Sequence, residues 1–583
     1  MFCVLAFLTL YIILSIRRLD LAVMFLIAAL PAYLIRFDVL GMPATLLEAM
    51  ILIAFSIWLI KNAKQIFYNI KSKIKNQKSK IYARYPFDIE IVLLLIVSFA
   101  AAGVAGFSAL GGMGIWKAYF FEPALVFILV FNVGLSPLTP LAKGGSTAED
   151  EGSIVPLGLW SHIANRYKQF ALRLHSPAAA GTMEPPVIEI NGVEKILWPL
   201  AISAFVVSVF AIYQKFTGAF IFNELWAAEE TRRVTSFFGY PNAVGLYLGP
   251  ITIVMTGWLT SVILRAKPEE SQVKGGEYSF IKKKSKERII TDVAADQRSF
   301  TPLRFVQDDK ADDKVLVIFV GIVIILSLLS IYFAKSEGAM IGIAAGLLVF
   351  GLLAGKKIRL ATVILIFVAG VGIIMFQPLR DYAVKKITLT DLSGEIRKQQ
   401  WRETWQMLTA SPLRFALGAG LANYQNAVAP HHQEGIFFNI DNDPEFHRHV
   451  VWNEEYKKSH WQPTEIYLYP HNIIFNFWSE LGLVGMVLFI WIIGKFFVIG
   501  IWDLFGHWSL PAPLRSVRPG GFKNLGTEKN RYIVIGLIGA MIVVVVHGLV
   551  DVPYFKNDLA VMFWLLIAMM SFTNLEKNYG ENL

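Results

Sequence analysis

The chain alternates long apolar blocks with polar connections, and the blocks have the length of bilayer spans. A hydrocarbon core of ~30 Å takes about 20 apolar residues of helix. Residues 315–333 (VLVIFVGIVIILSLLSIYF) form one such block and 532–550 (YIVIGLIGAMIVVVVHGLV) another. About 13 blocks follow one another, near 2–16, 20–35, 44–60, 88–108, 115–135, 196–213, 243–264, 315–333, 339–355, 360–376, 471–500, 532–550 and 558–573. The first two are short. A soluble core would need many buried helices with no polar face, which helix amphipathicity argues against. The pattern predicts an all-α polytopic membrane protein with about 12–13 transmembrane helices. One large outward-facing loop precedes the third-last helix.

Composition agrees with this pattern. Hydrophobic residues make up 55% of the 583 and charged residues only 17%, against about a quarter charged in soluble domains. The net charge of +10 does not point to nucleic acid, because the basic residues sit between apolar blocks. Segment 61–87 carries Lys61, Lys64, Lys71, Lys73, Lys75, Lys78, Lys80 and Arg84 without an acidic residue before Asp88, so it belongs on the cytoplasmic side. Counting from there puts Lys356, Lys357, Arg359 and the basic segment 503–531 inside as well. Cys3 is the one cysteine, which excludes an internal disulfide and a cysteine metal site. The N-terminus lacks a basic leader and a small-residue cleavage site, so its first block reads as a retained helix.

This orientation divides the chain. Residues 1–87 hold the first spans and the basic loop, and 88–136 two more spans. Residues 137–195 form a cytoplasmic insert rich in Pro, Gly, Ser and Ala. Spans with an outer Arg/Pro-Asn motif fill 196–265. A charged cytoplasmic insert at 266–314 has mixed sign (KKKSKER, DDKADDK) and reads as a solvated surface or linker. Three further spans occupy 315–376, the large outer loop 377–470, and the C-terminal spans 471–583. No internal repeat, Walker A or GxGxxG pattern is present, which argues against an ATP-driven pump.

The outer face carries the candidate chemistry. The loop 377–470 is dense in Trp, His, Arg and Tyr, and SGEIRKQQWRETWQMLTASPLRFALGAG (393–420) predicts a helix ending near Ser411-Pro412. Arg397 and Lys398 lie one turn before Trp401. His471-Asn472 follows Pro470 and opens a span, with Gly482 and Gly485 beyond it. A His at a helix N-terminus is held neutral by the dipole, the form of a general base. Free N–H groups there attract phosphate. The plain alternative is an interfacial His without chemistry. The two glycines allow another helix to approach closely. Glu480, nine residues further on, lies ~13 Å deeper and is either functional or half of a buried pair. Glu465, close in sequence to His471, would oppose the neutral form.

Arg232 and Arg233 precede a span entered at Pro241-Asn242. Outward Arg fits bidentate phosphate recognition or interfacial snorkelling. Lys335, Ser336 and Glu337 form a tight outer hairpin. Trp116-Lys117, Glu122-Pro123, Asp551 and Asp558 lie at the same level. Six His residues (His431, His432, His447, His449, His460, His471) fall within the loop and its end. Their spacing fits no standard zinc site, so no metal and no cofactor is expected. Trp401, Trp452 and Trp461 suit either sugar stacking or interfacial anchoring.

With these residues in hand, the chain resembles the superfamily of O-antigen ligases, O-antigen polymerases and protein O-oligosaccharyltransferases. The resemblance covers about 90–580 without the two inserts. It is carried by the outer loop ending in His471-Asn472 with Gly482-x2-Gly485, by Arg233-x-Thr-x-Phe-Phe-x-x-Pro241-Asn242, and by Trp401 with the SPLRFALGAG stretch. It implies a metal-independent inverting glycosyltransferase in cell-surface polysaccharide biosynthesis. The donor would be a glycan on undecaprenyl diphosphate and the acceptor a lipid, glycan or protein hydroxyl. The membrane would be the bacterial cytoplasmic (inner) membrane, with the site facing out. His471 matches the family's catalytic His, and Arg233 its diphosphate-binding Arg. Arg397 or Arg402 matches its loop Arg. Asn472, Glu480 and Asn242 would support them. Where relatives carry Ser-Arg-Gly, this chain has Ser336-Glu337-Gly338, with Lys335 displaced ahead of it and offering charge without a bidentate fork. The extra N-terminal span and the inserts are atypical. The rival class is a transporter or lipid-glycan flippase, which would keep polar residues at the midplane and show repeats. A third is a non-catalytic polysaccharide-export component.

Overall fold

The computed structural model describes residues 2–39, 42–75, 86–104, 110–133, 191–266, 309–505 and 525–581. Expectations for 137–190, 267–308 and 506–524 lie outside the described residues. Within them the chain is helical, with two small two-stranded sheets. Eight helices are long and apolar enough to cross a membrane. Four shorter apolar ones, Cys3–Arg17, Leu19–Ala28, Glu337–Leu353 and Asn557–Thr573, accompany them. Each of the 13 predicted blocks corresponds to a helix, including Asp88–Val104. An element the pattern does not predict is the hairpin Arg36–Val39/Met42–Thr45 ahead of the helix Leu46–Lys75.

Side-chain size decides which helices are central. In the most apolar 18 residues of Pro241–Leu264, 78% are buried, and in Arg531–Gly548, 72%. They approach through glycine, a Cβ on Gly257 standing 2.9 Å from the Gly536 Cα; the helix Glu337–Leu353 packs on Arg531–Gly548 in the same way, a Cβ on Gly346 standing 2.8 Å from the Gly539 carbonyl oxygen. Small residues at such crossings let backbones close in where lipid offers no hydrophobic drive. The helix Lys356–Met375 buries none of its residues. Its apolar surface suits lipid on all sides.

The helix Ile473–Phe505 is broken at Gly482, where φ is +74°. The backbone there approaches the short helix Pro412–Leu417 of the outer loop, so that a Cβ on Gly482 would lie 2.5 Å from the Ala416 carbonyl oxygen. A carbonyl left open near a break inside a bilayer needs a partner. The loop supplies it: Ala419 N–H donates to the Ser479 carbonyl at 2.6 Å. Trp478 Nε1 donates to the Phe415 carbonyl at 2.8 Å, and Glu480 Oε2 accepts from Ala422 N–H at 2.7 Å. Residues 412–422 thus seal the break, and their docking draws the outer loop onto the bundle.

Candidate active site

The large loop 377–470 contributes the helix Leu392–Thr409, which ends where Ser411 caps the helix Pro412–Leu417. Met407 and Leu408 pack with Ala419, Tyr424 and Trp478 in a core separate from that of the membrane helices. With that face buried, Arg397, Gln400 and Trp401 project together at i, i+3 and i+4. All three reach the His471 end of the bundle. Trp401 Nε1 donates to the Pro470 carbonyl at 2.9 Å. The indole thus positions the chain just before His471.

His471 lies before the first turn of its helix. Asn472 is the cap, its Oδ1 accepting from the N–H groups of Ile474 and Phe475 at 3.0 and 3.1 Å, while its Nδ2 donates to the Leu549 carbonyl at 3.1 Å. His471 Nδ1 meets Gln400 Oε1 at 3.0 Å. With the amide oxygen as acceptor, Nδ1 carries the proton and Nε2 keeps its lone pair. Tyr467 and Tyr469 flank the ring at 5.0 and 5.2 Å between centroids. The imidazole lines a cleft of about 290 Å³ with Gln425, Glu465 and residues 466–469. Burial pushes its pKa below the ordinary 6.5; Asp551 opposes that shift and Arg397 adds to it. The dipole expectation of a neutral ring is therefore matched in direction, with burial as the main cause. The opposing carboxylate is Asp551 rather than Glu465.

Arg233 and Arg397 share one design. Arg233 donates from Nε to the Ala334 carbonyl at 3.0 Å and from Nη2 to Asn242 Oδ1 at 3.2 Å and the Lys335 carbonyl at 3.4 Å. Arg397 donates from Nε to the Val550 carbonyl at 3.0 Å and from Nη1 to Ser393 Oγ at 2.7 Å. Neither has a carboxylate partner among the described residues, and each leaves one Nη group uncommitted. Burial lowers the Arg233 pKa, against Glu337. Neutral carbonyls thus orient both guanidinium groups without cancelling their charge. Asn242 Nδ2 continues the chain to Asp551 Oδ2 at 3.3 Å.

The remaining predicted residues divide. Arg402 is exposed and donates to Gln399 Oε1 at 3.4 Å, on a different face of the helix from Arg397. Lys335 Nζ donates to the Thr231 carbonyl at 3.2 Å, beside Arg233. Glu480 belongs to the sealed helix break. Two residues of the cluster carry no sequence motif of their own. Gln400 is legible only as the i+3 neighbour of Arg397. Asp551, 1% exposed, sits in the polar turn DVPYFKND after an apolar span.

The other loop histidines have separate partners. His432 Nδ1 meets Glu403 Oε2 at 3.3 Å, His449 Nδ1 meets Asp443 Oδ2 at 2.5 Å, and His460 Nε2 meets Asp441 Oδ2 at 3.0 Å. Among the described residues no three His, Cys, Asp or Glu groups converge as metal ligands would.

Residues 322–490 match the O-antigen ligase family. The matched stretch runs from a membrane helix through the outer hairpin and the large loop past Gly482. It contains Lys335, Arg397, Gln400, His471 and Glu480, while Arg233, Asn242 and Asp551 lie outside it. The chain is thus a polytopic membrane protein with an O-antigen ligase-like domain, a class of enzyme that transfers glycans. No curated protein matches it.

Proposed function

We propose that the protein transfers or polymerises a glycan from undecaprenyl diphosphate onto an acceptor hydroxyl, on the outer side of the bacterial cytoplasmic membrane. The observation that carries this reading is a half-buried His471 whose Nε2 is free, with Arg397 close enough to act on the ring and Arg233 joined to Asp551 through Asn242, neither arginine having a counter-ion among the described residues. His471 Nε2 takes the hydroxyl proton. The acceptor oxygen bonds to the anomeric carbon from the face opposite the leaving group, and the anomeric C–O bond to phosphate breaks. The electron pair leaves with the lipid diphosphate, and the sugar inverts. Such a leaving group asks little of a general acid. The free N–H groups of Arg233 and Arg397 meet its charge as it develops. Lys335 adds charge near Arg233. Arg402, exposed and turned elsewhere, is not part of this step. The acceptor is a lipid A core, a growing glycan or a protein hydroxyl.

The test is transfer in vitro from a lipid-diphosphate glycan by purified protein. A new glycosidic bond formed by wild type and lost in His471→Gln supports the reading. Glycan that changes membrane side without a new bond would leave a flippase. Sidedness is tested by reporters active only outside the cytoplasm. Fusion after residue 430 is expected to be active and fusions at 75, 290 or 520 silent. Activity at 75 would overturn the orientation.

A further inference from the structure

The outer loop carries a second concavity, of about 300 Å³, walled by Phe437, Trp461, Glu454, Lys457 and Lys458. It lies on a lobe built from the antiparallel strands Gly435–Phe437 and Trp461–Pro463 and the helices Phe446–Trp452 and Glu454–Ser459. The histidine–carboxylate pairs brace this lobe. Asp443 accepts from Tyr456 OH at 2.9 Å as well as meeting His449, and the Tyr456 and His460 rings stack at 3.8 Å. Phe437 and Trp461 are register partners whose rings meet edge to face at 4.8 Å. Both stay open, at 37% and 39% exposure. Any side chain at Gly435 would collide with the indole, its Cβ 2.4 Å from a ring carbon. The platform is therefore rigid, aromatic and accessible, which gives large contact area at little entropic cost.

The charge at its rim is uneven. Lys457 is 3.6 Å from Glu454, while Lys458 has no ion-pair partner among the described residues. A membrane-anchoring patch has no use for a concavity or for a carboxylate at its rim; a pocket with stacking rings and a few placed polar groups is the form of a small-ligand site. The strand Trp461–Pro463 also runs on into residues 465–469, which wall the His471 cleft. We propose that the Phe437–Trp461 groove is a second carbohydrate subsite. It binds a sugar unit bearing a carboxylate, remote from the bond being formed: the C–H face stacks on the rings and the carboxylate meets Lys458. That this sugar belongs to the transferred glycan rests on the transferase reading above.

The experiment uses the full chain in detergent, with oligogalacturonate and neutral malto-oligosaccharide of equal length as probes, read by saturation-transfer NMR. Wild type and His471→Gln are expected to bind oligogalacturonate equally. Trp461→Ala should weaken binding about tenfold, Trp461→Phe should largely keep it, and Lys458→Gln should erase the preference over the neutral probe. Unchanged binding in Trp461→Ala overturns the subsite. Equal affinity for both probes in wild type overturns its charge preference. Loss of anionic-vesicle binding in Trp461→Ala, with sugar binding intact, would make the rings a membrane anchor. If wild type forms no glycosidic bond yet sugar binding depends on Trp461, the transferase reading fails and the subsite stands. If transfer needs His471 while Trp461→Ala binds normally, the reverse holds.

Discussion

Two sets of cationic or basic side chains lie in the large loop and at the bundle end on which it docks, and they are treated in opposite ways. In the lobe beyond Gln433, His449 and His460 each stand against an aspartate, and Asp443 is held below the ordinary carboxylate range chiefly by His449. At the bundle end, Arg233 and Arg397 are held by main-chain carbonyls, a Ser hydroxyl and an Asn amide, with no carboxylate in contact. A compensated charge fixes a fold locally. An oriented, uncompensated one is kept for a ligand of opposite sign. Abundance of basic residues therefore says less about a site than where their partners are.

The comparison breaks most sharply at His471, the base of the proposed transfer. His471→Gln is expected to lose about 10²–10⁴-fold in transfer, the usual range for a general base, with normal expression and size-exclusion behaviour. Wild-type turnover would leave the proton without an acceptor. Arg233→Ala and Arg397→Ala should each lose about 10²–10³-fold, with only partial rescue by Lys because the fork is gone. Arg402→Ala should stay near wild type. If Arg402→Ala fails as badly as Arg397→Ala, the distinction drawn from their partners is wrong. Asp443→Ala should cost no more than about fivefold in transfer while lowering the melting temperature and speeding hydrogen exchange across 435–463.

A pH series sharpens the same contrast. The folded pKa of His471 lies below 6.5, so the imidazole stays neutral at pH values where a free His is already largely protonated. The acid limb of the rate profile should therefore inflect below 6.5, and turnover should fall as pH drops through that point. Asp551→Asn removes the carboxylate that opposes the shift, so the inflection should move further down. An inflection above 6.5 in wild type would contradict the burial argument. The smallest expected effect is that of chelator. Excess EDTA after dialysis should leave turnover unchanged, and loss restored by zinc alone would reassign the loop histidines.

How much of this is legible in the sequence depends on how local each cause is. The apolar blocks predict their helices because length and hydropathy act within one segment. The loop helix is readable too, since Ser411-Pro412 ends it by local rules. Arg397 and Arg402 are indistinguishable along the chain, because which face of the helix is buried is settled by Met407 and Leu408 packing against Trp478, seventy residues on. Gln400 and Asp551 are invisible for the same reason: their partners, His471 and Asn242, lie 71 and 309 positions away. Gly482 is readable as a close approach, but its left-handed backbone is not, because that depends on the loop segment docked against it. Glu480 reads by depth as functional or as half of a buried pair, and its contact with the Ala422 amide, 58 positions away, is not legible from either reading.

His471 itself holds a left-handed backbone, with φ of +45°. Side-chain-bearing residues reach that region only at a cost, of order 1–3 kcal/mol at functional sites, and glycine does so freely. Replacing His471 with Gly should relieve that backbone cost while forfeiting the Gln400 contact and the tyrosine packing, so stability should change little while turnover is lost. On the proposed reading, heat resistance alone would not hold the imidazole at this position; demand for product would.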